Sequence, residues 1–347
     1  MGADLPRLVD TVYLGGGTPS LLEPELLSKL FATLRGEFDV DPDAEITMEC
    51  APGQIAQPVL EAMVEAGVNR VSLGVQSFID AEAHASGRLH SRAVVEDDLR
   101  RLREAGIANL NVDLIAGLAG QTFASWEESV GVLLECGVPH ASVYMLEVDE
   151  DSRLGREMLA GGARYRAGLV PTDDAITQMY ETAVARLDAA GLRQYEISNF
   201  ARAEFESRHN LRYWQRRPYL GVGLDASSML RERDGRRVLR ATTTDDLKGY
   251  LEGGEAPEME WLGTERQLEE AWFLGLRTNE GVDADAVVAE FGAKDVAVTV
   301  AVARRLVDDG LLSCEGGRFR LTARGRLISN NVFEEFLAEA ELSASSR

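Results

Sequence analysis

The sequence predicts an α/β protein: a partial (β/α) barrel or open parallel sheet, followed by a small winged-helix-like α+β domain. Three observations predict it. Short apolar strands alternate with amphipathic helical stretches over the first half of the chain. Glycine closes several of those helices, in Ala66-Gly67, Ala105-Gly106 and Cys136-Gly137, because it adopts the left-handed conformation that ends a helix. From about Thr264 the order becomes helix, helix, helix, hairpin, helix.

In chain order, strands read at Thr11–Leu14, Glu45–Glu49, Arg70–Val75, Asn109–Leu114 and Ala141–Leu146. Helical stretches lie near Glu23–Arg35, Gln57–Ala66, Arg92–Ala105 and Ser125–Cys136. A β-α-β-α order implies parallel strands joined by right-handed crossovers, and short apolar strands suit a buried parallel sheet. A closed eight-fold barrel takes about 250 residues, so five strand-helix units point to a partial barrel or an open sheet.

Functional residues in such folds gather at the C-terminal strand ends. Here those ends carry Gly15-Gly16-Gly17-Thr18, then Glu49, then Gln76 and then Asp113. One such carboxylate is often just a helix cap. Four successive polar strand ends form a rim for a ligand with an amino group and hydroxyls. A glycine loop also admits close backbone approach.

The middle region is less regular. A helix reads at Asp173–Ala190, followed by Gln194–Ala201 and His209–Trp214. A hairpin is expected around Asp234-Gly235, a favoured type I′ pair. Its arms carry Arg231, Arg233, Arg236, Arg237 and Arg240. They read either as an anion clamp or, slightly preferred, as an edge guarded by charge. Next come helices over Thr264–Leu276, Asp283–Glu290 and Asp295–Asp308 and a hairpin over Leu311–Leu321, with Gly316-Gly317 at its tip.

The chain has 347 residues, 45% hydrophobic and 27% charged, with a net charge of −22. That charge argues against nucleic acid and against an anionic membrane as partners. There is no run long enough to span a bilayer and no signal-peptide pattern. The Met1-Gly2 start is not a myristoylation site, since Pro6 stands where Ser or Thr is needed. Cys50, Cys136 and Cys314 show no metal-ligand spacing and read as small core residues in a reducing cytoplasm. His90 and His140 read as structural core groups and His84 as exposed.

The motifs occur in a telling order. Gly15-Gly16-Gly17-Thr18-Pro19-Ser20-Leu21-Leu22 is followed by Glu45-Ile46-Thr47-Met48-Glu49 and by Asn69–Phe78. Then come Gly87-Arg88-Leu89-His90, Asn111-Val112-Asp113-Leu114-Ile115, Tyr195–Ala201 and His209-Asn210-Leu211-Arg212-Tyr213-Trp214. Over nearly its whole length the chain resembles the radical S-adenosylmethionine proteins of the oxygen-independent coproporphyrinogen III oxidase group. The resemblance implies a partial radical-SAM barrel over 1–190, a connecting region over 191–260 and a C-terminal domain over 261–347. It also implies two cofactors, S-adenosylmethionine and a 4Fe–4S cluster held by a CxxxCxxC loop.

No such loop is present, and three separated cysteines cannot replace a compact one. The expectation is that the barrel's first unit, on the order of 30 residues or more, is missing before Thr11. A start chosen downstream is favoured over a true loss. The metal ligands are accordingly none in this chain.

For S-adenosylmethionine, the resemblance implies Gly16, Gly17 and Thr18 against the methionine moiety. Glu49 and Asp113 would accept from the ribose hydroxyls or the amino group. Arg88 would pair with the carboxylate, and Gln76 would donate and accept at the rim. The His209–Trp214 stretch resembles the HNxxYW motif of the group's haem-chaperone branch. His209 would ligate haem iron, and Tyr213 and Trp214 would stack on the porphyrin. A structural turn with buried aromatics reads nearly as well. The expected function is a haem-binding chaperone acting in haem metabolism or trafficking, with haem or a porphyrin and a haem-acceptor protein as partners. The alternatives are the oxidase itself and a cluster-free interaction module.

Overall fold

Alternation along the strands organises the first part of the molecule. The computed structural model describes residues 3–4, 7–147, 168–232, 237–253 and 256–344. Its chain divides into two compact units, Arg7–Ser207, and Arg208–Arg347 with Met1–Pro6.

After a short strand β1 (Ala3–Asp4), the first unit runs β2 (Leu8–Leu14), α1 (Pro24–Glu37), β3 (Asp39–Cys50), α2 (Gln57–Glu65) and β4 (Arg70–Gln76). It continues α3 (Asp80–Ala85), α4 (Arg92–Glu104), β5 (Asn109–Ala116), α5 (Phe123–Glu135) and β6 (His140–Met145). The five strands β2 to β6 are parallel neighbours in chain order, the right-handed β-α-β product that the sequence implies. After the Asp173–Ala189 helix, β7 (Arg193–Gln194) and β8 (Asn199–Ala201) close the sheet. Strand β8 lies antiparallel to β6, with His140 opposite Ala201 and Ser142 opposite Asn199.

The strands are not uniformly apolar, as a doubly covered sheet would require. Successive side chains point to opposite faces. One set, Ile46, Met48, Val71, Leu73, Val75, Leu110, Val112, Leu114, Ala141 and Val143, is apolar and buried. Helices must cover such a face. The buried stripes Leu27 and Phe31, Val59, Leu60 and Met63, Val95, Leu99 and Leu102, and Trp126, Val130 and Leu133 supply the matching surface. The other set is polar: Glu45, Thr47 and Glu49 on β3, Arg70, Ser72 and Gln76 on β4, Asn111 and Asp113 on β5, and His140 and Ser142 on β6. Burying polar groups is costly unless they bond one another; Ser72, Asn111, Asp113, His140 and Ser142 do so, whereas among the described residues Thr47 Oγ1, Arg70 Nε and Gln76 Oε1 find no partner.

The second unit holds a four-stranded antiparallel sheet, in which β1 pairs with β9 (Ser227–Glu232), β9 with β10 (Val238–Thr242) and β10 with β11 (Glu258–Leu262). Met229, Val238 and Leu262 form its core, with Tyr219 packed against them. The expected hairpin is present as β9 and β10, while Arg233, Asp234, Gly235 and Arg236 lie outside the described residues. Arg237 and Arg240 are neutralised internally, by Glu232 and Glu270, both at 2.7 Å.

The C-terminal part has the expected winged-helix order. Helices Thr264–Arg277, Ala284–Phe291 and Ala293–Asp308 precede the hairpin of β13 (Leu312–Glu315) and β14 (Arg318–Leu321), and β12 (Val282–Asp283) joins β14. Trp272 anchors this core, stacked on Phe336 at 4.9 Å and edge-on to Phe319. Cys314 is exposed on β13 rather than buried in a core, because it lies on the outward-facing part of that strand. Among the described residues no helix is long and apolar enough to cross a membrane.

Candidate functional site

A polar cavity of about 250 Å³ opens at the C-terminal ends of β2 to β5. Gly16, Gly17, Thr18, Glu49, Gln76, Arg88 and Asp113 all line it, joined by Cys50, Ala51, Ser72 and Gly74. The seven residues picked out from the sequence therefore share one space.

Each wall has a local cause. Gly15 follows β2 so closely that a Cβ there would stand 2.7 Å from the Tyr13 ring and 3.0 Å from Glu49 Oε1. Gly16 sits at φ +103°, a conformation costly for any other residue. Its N–H donates to Glu49 Oε2 at 3.2 Å. The Tyr13 hydroxyl donates to Glu49 Oε1 at 2.7 Å. Burial and the nearby Glu49 carboxylate push the Tyr13 phenol upward, so it remains a donor. Each Glu49 oxygen keeps a lone pair for a ligand.

Strand β4 breaks register between Leu73 and Gln76. Gln76 takes φ +68°, which is strained for a side chain larger than glycine. Its Oε1 is buried and, among the described residues, has no hydrogen-bond partner. Ser77 fixes the turn that follows, bonding Glu82 at 2.7 Å and Ser129 at 3.2 Å. The Arg88 guanidinium lies along β4, 3.6 Å from where a Cβ of Gly74 would stand. Among the described residues Arg88 makes no ion pair. Two carboxylates, an uncommitted guanidinium and an orphaned amide oxygen suit a zwitterion bearing hydroxyls.

Asp113 is the most elaborately held. Asn111 Nδ2 reaches Asp113 Oδ1 at 2.7 Å, and Ser72 donates to Oδ2 at 3.1 Å. Burial raises the Asp113 carboxyl, and bonds from Ser142, Asn111 and Ser72 oppose that rise. Behind it, His140 Nδ1 meets Asn111 Oδ1 at 2.6 Å and His140 Nε2 meets the Tyr195 hydroxyl at 2.9 Å. Burial and the Arg70 charge drive His140 well below the usual histidine range, so the ring is neutral. His90 is also buried, against the Val75 carbonyl at 3.1 Å. Both fit the structural role read from the sequence.

Tyr13, Ser72, Asn111 and Tyr195 lie in strands and motifs legible in the sequence but carry no site role there. Three of them belong to the alternating polar sets of β2, β4 and β5. Period-two alternation was the signal that could have found them.

The second candidate set lies on the Arg208–Trp214 helix, none of whose residues is fully buried. His209 and Tyr213, one turn apart, share a hydrogen bond of 2.8 Å from Nε2 to the hydroxyl. Tyr213 meets Tyr219 edge-on at 4.6 Å and Trp214 at 6.4 Å. The Arg277 guanidinium covers one face of Trp214 at 4.3 Å, and Trp214 Nε1 is buried without a partner among the described residues.

Residues 3–133 match the family described as the Radical SAM superfamily, and residues 264–328 match the HemN C-terminal domain. The protein named "Heme chaperone HemW" from Bacillus subtilis (strain 168) is 33% identical over 335 residues, covering 95% of this chain and 86% of that one. The chain belongs to the HemW family of radical SAM proteins. HemW of Escherichia coli (strain K12) is 31% identical, with 96% of this chain and 85% of that one covered. The solved structure of coproporphyrinogen III oxidase (HemN) from Escherichia coli superposes with a TM-score of 0.79 at 24% identity, over 95% of this chain and 78% of that one. That likeness shows the shared fold.

Membership of the radical SAM superfamily implies S-adenosylmethionine and a 4Fe–4S cluster. The orphaned Gln76 oxygen, the Arg88 guanidinium and the carboxylate pair fit the first. The cluster is different. Among the described residues no three His, Cys, Asp or Glu side chains are grouped to hold a metal. Cys50 is buried in β3, its thiol pushed up to about 12 by burial, which disfavours the thiolate a cluster needs. The described residues do not offer a ligand set that fits a cluster.

Proposed function

We propose that this HemW-family protein is a haem chaperone that takes haem as cargo on its Arg208–Trp214 helix and binds S-adenosylmethionine in the cavity at the strand ends. The observation that carries the haem reading is the His209–Tyr213 pair, two groups able to ligate haem iron on one face of a helix that buries neither. The HemW relatives, named heme chaperones, support the same reading. A haem-acceptor protein and a cytoplasmic setting belong to this proposal, and the unpaired cysteines accord with the latter.

The cargo site must rearrange to work. His209 Nε2 is engaged by Tyr213, so ligation through that atom requires the phenol to release it. One neutral hydrogen bond contributes about 1 kcal/mol, well below what burying a porphyrin returns. Arg277 on Trp214 contributes about 1–2 kcal/mol, so a porphyrin face can displace it.

In the cavity, Arg88 would pair with the methionine carboxylate, and Glu49 and Asp113 would accept from the ammonium and the ribose hydroxyls. Gln76 Oε1 would accept a further donor, while Gly16 and Gly17 admit the ligand close to the backbone. When bound, S-adenosylmethionine supplies an electrophilic sulfonium. Haem titration of the full chain, followed in the Soret region, tests the cargo site, and calorimetry with S-adenosylmethionine tests the cavity. A Soret shift unchanged by His209→Ala would remove that ligand.

A further inference from the structure

Behind Asp113 runs a line of buried polar groups that the sites above leave unused. It starts at the Ser207 amide, which donates to the Tyr195 hydroxyl at 3.2 Å. Tyr195 reaches His140 Nε2 at 2.9 Å, His140 Nδ1 reaches Asn111 Oδ1 at 2.6 Å, and Asn111 Nδ2 reaches Asp113 Oδ1 at 2.7 Å. Strand β8, antiparallel to β6, brings the 195–198 turn beside His140.

The direction of every bond follows from elementary bonding capacity. An ionised carboxylate only accepts, so the Asn111 atom facing Asp113 must be the amide nitrogen. The Asn111 oxygen then faces His140, and an amide oxygen only accepts. His140 must therefore carry its proton on Nδ1, which leaves Nε2 as an acceptor. Tyr195 must donate to it, and the Tyr195 oxygen in turn accepts from Ser207. At the side, Asn111 Nδ2 also reaches Ser72 at 2.7 Å and Ser142 at 3.1 Å, Ser72 donates to Asp113 Oδ2, and the Ser142 hydroxyl lies 3.2 Å from Asn111 Oδ1. Along the line from Ser207 to Asp113 every donor points toward the carboxylate. Chains of this kind polarise one another.

We infer that Tyr195, His140 and Asn111 are positioning residues of the cavity: a one-way donor chain that ends on Asp113 and fixes the orientation of its carboxyl group toward a donor-bearing ligand. The inference rests on the proposed reading of the cavity as an S-adenosylmethionine site. The groups facing the His140 ring are Asn111, Tyr195 and the fully buried Arg70, whose charge opposes protonation of the ring.

The test combines binding with spectroscopy on the full chain. Tyr195→Phe removes one hydroxyl from the chain and nothing from the cavity wall. It is expected to weaken S-adenosylmethionine binding about threefold to tenfold, the range of one neutral hydrogen bond, with haem affinity unchanged. In an Asp113→Asn background the same substitution is expected to add nothing, because it acts through Asp113. Nitrogen-15 spectra of histidine-labelled wild type, with His140 assigned by His140→Gln, are expected to show a neutral Nδ1–H ring. That measurement needs no altered fold. An Nε2–H ring, an unchanged affinity in Tyr195→Phe, or additive losses in the double variant would overturn the chain while leaving the cavity reading intact. Wild type that binds no S-adenosylmethionine would remove the cavity reading and the chain with it.

Discussion

Tyr13 donates its phenolic hydrogen to Glu49 across 2.7 Å, and so fixes one oxygen of a carboxylate that faces the cavity. The Gly16 amide holds the other oxygen. Glu49 is thus aimed before any ligand arrives, which removes an ordering cost from binding. Tyr13→Phe keeps the ring and loses the bond. S-adenosylmethionine affinity is expected to fall about threefold to tenfold, measured by calorimetry.

Arg88 faces the cavity without an ion pair among the described residues. Charge-assisted bonds contribute about 1.5–3 kcal/mol, so Arg88→Gln is expected to lower S-adenosylmethionine affinity by about tenfold or more. Decarboxylated S-adenosylmethionine, which lacks the group Arg88 would meet, is expected to bind wild type and variant alike. Equal losses for both ligands would assign Arg88 elsewhere.

Gln76 trades stability for a placed side chain. A left-handed conformation costs a non-glycine residue about 1–2 kcal/mol, and its buried Oε1 is unsatisfied. Gln76→Gly is expected to leave the unfolding free energy unchanged or raise it by about 1 kcal/mol, while S-adenosylmethionine binding weakens. Denaturant unfolding and calorimetry on the same sample read the two effects separately.

His140 makes stability depend on pH in a defined direction. Burial and Arg70 lower its folded value below that of the unfolded chain, about 6.5. The unfolded state therefore binds the extra proton. The contribution is complete above about pH 6.5 and is lost as pH falls toward the folded value, at up to about 1.4 kcal/mol per pH unit. His140→Gln is expected to flatten this limb in unfolding curves taken below about pH 6.5. Buried His90, lowered for the same reason, leaves a smaller slope in both proteins.

Much of the first unit was legible because its signals are local. The apolar runs at Arg70–Val75 and Asn109–Leu114 and the glycines after the helices mark units that the chain forms with its neighbours. Strand ends then located Gly16, Gly17, Thr18, Glu49, Gln76 and Asp113, while Arg88, which lies between two helices, followed only from the family resemblance. Strand β3 starts at Asp39, before the apolar run at Glu45, because its first residues are polar and pair with β2 through backbone alone. The donor chain was less legible, since Asn111, His140 and Tyr195 meet only after folding, 29 and 55 residues apart. Arg240 could be read as a free anion site only without Glu270, which arrives from a helix 30 residues on.

The most direct measurement is a haem titration of the full chain and of His209→Ala, followed in the Soret region, with S-adenosylmethionine affinity as a control for folding. Saturable binding to wild type, weakened about tenfold or more (~1.4 kcal/mol) in the variant at unchanged S-adenosylmethionine affinity, is the predicted result. Wild type that gives no saturable Soret shift, or a variant that binds haem as wild type does, would contradict the assignment of the Arg208–Trp214 helix as the cargo site.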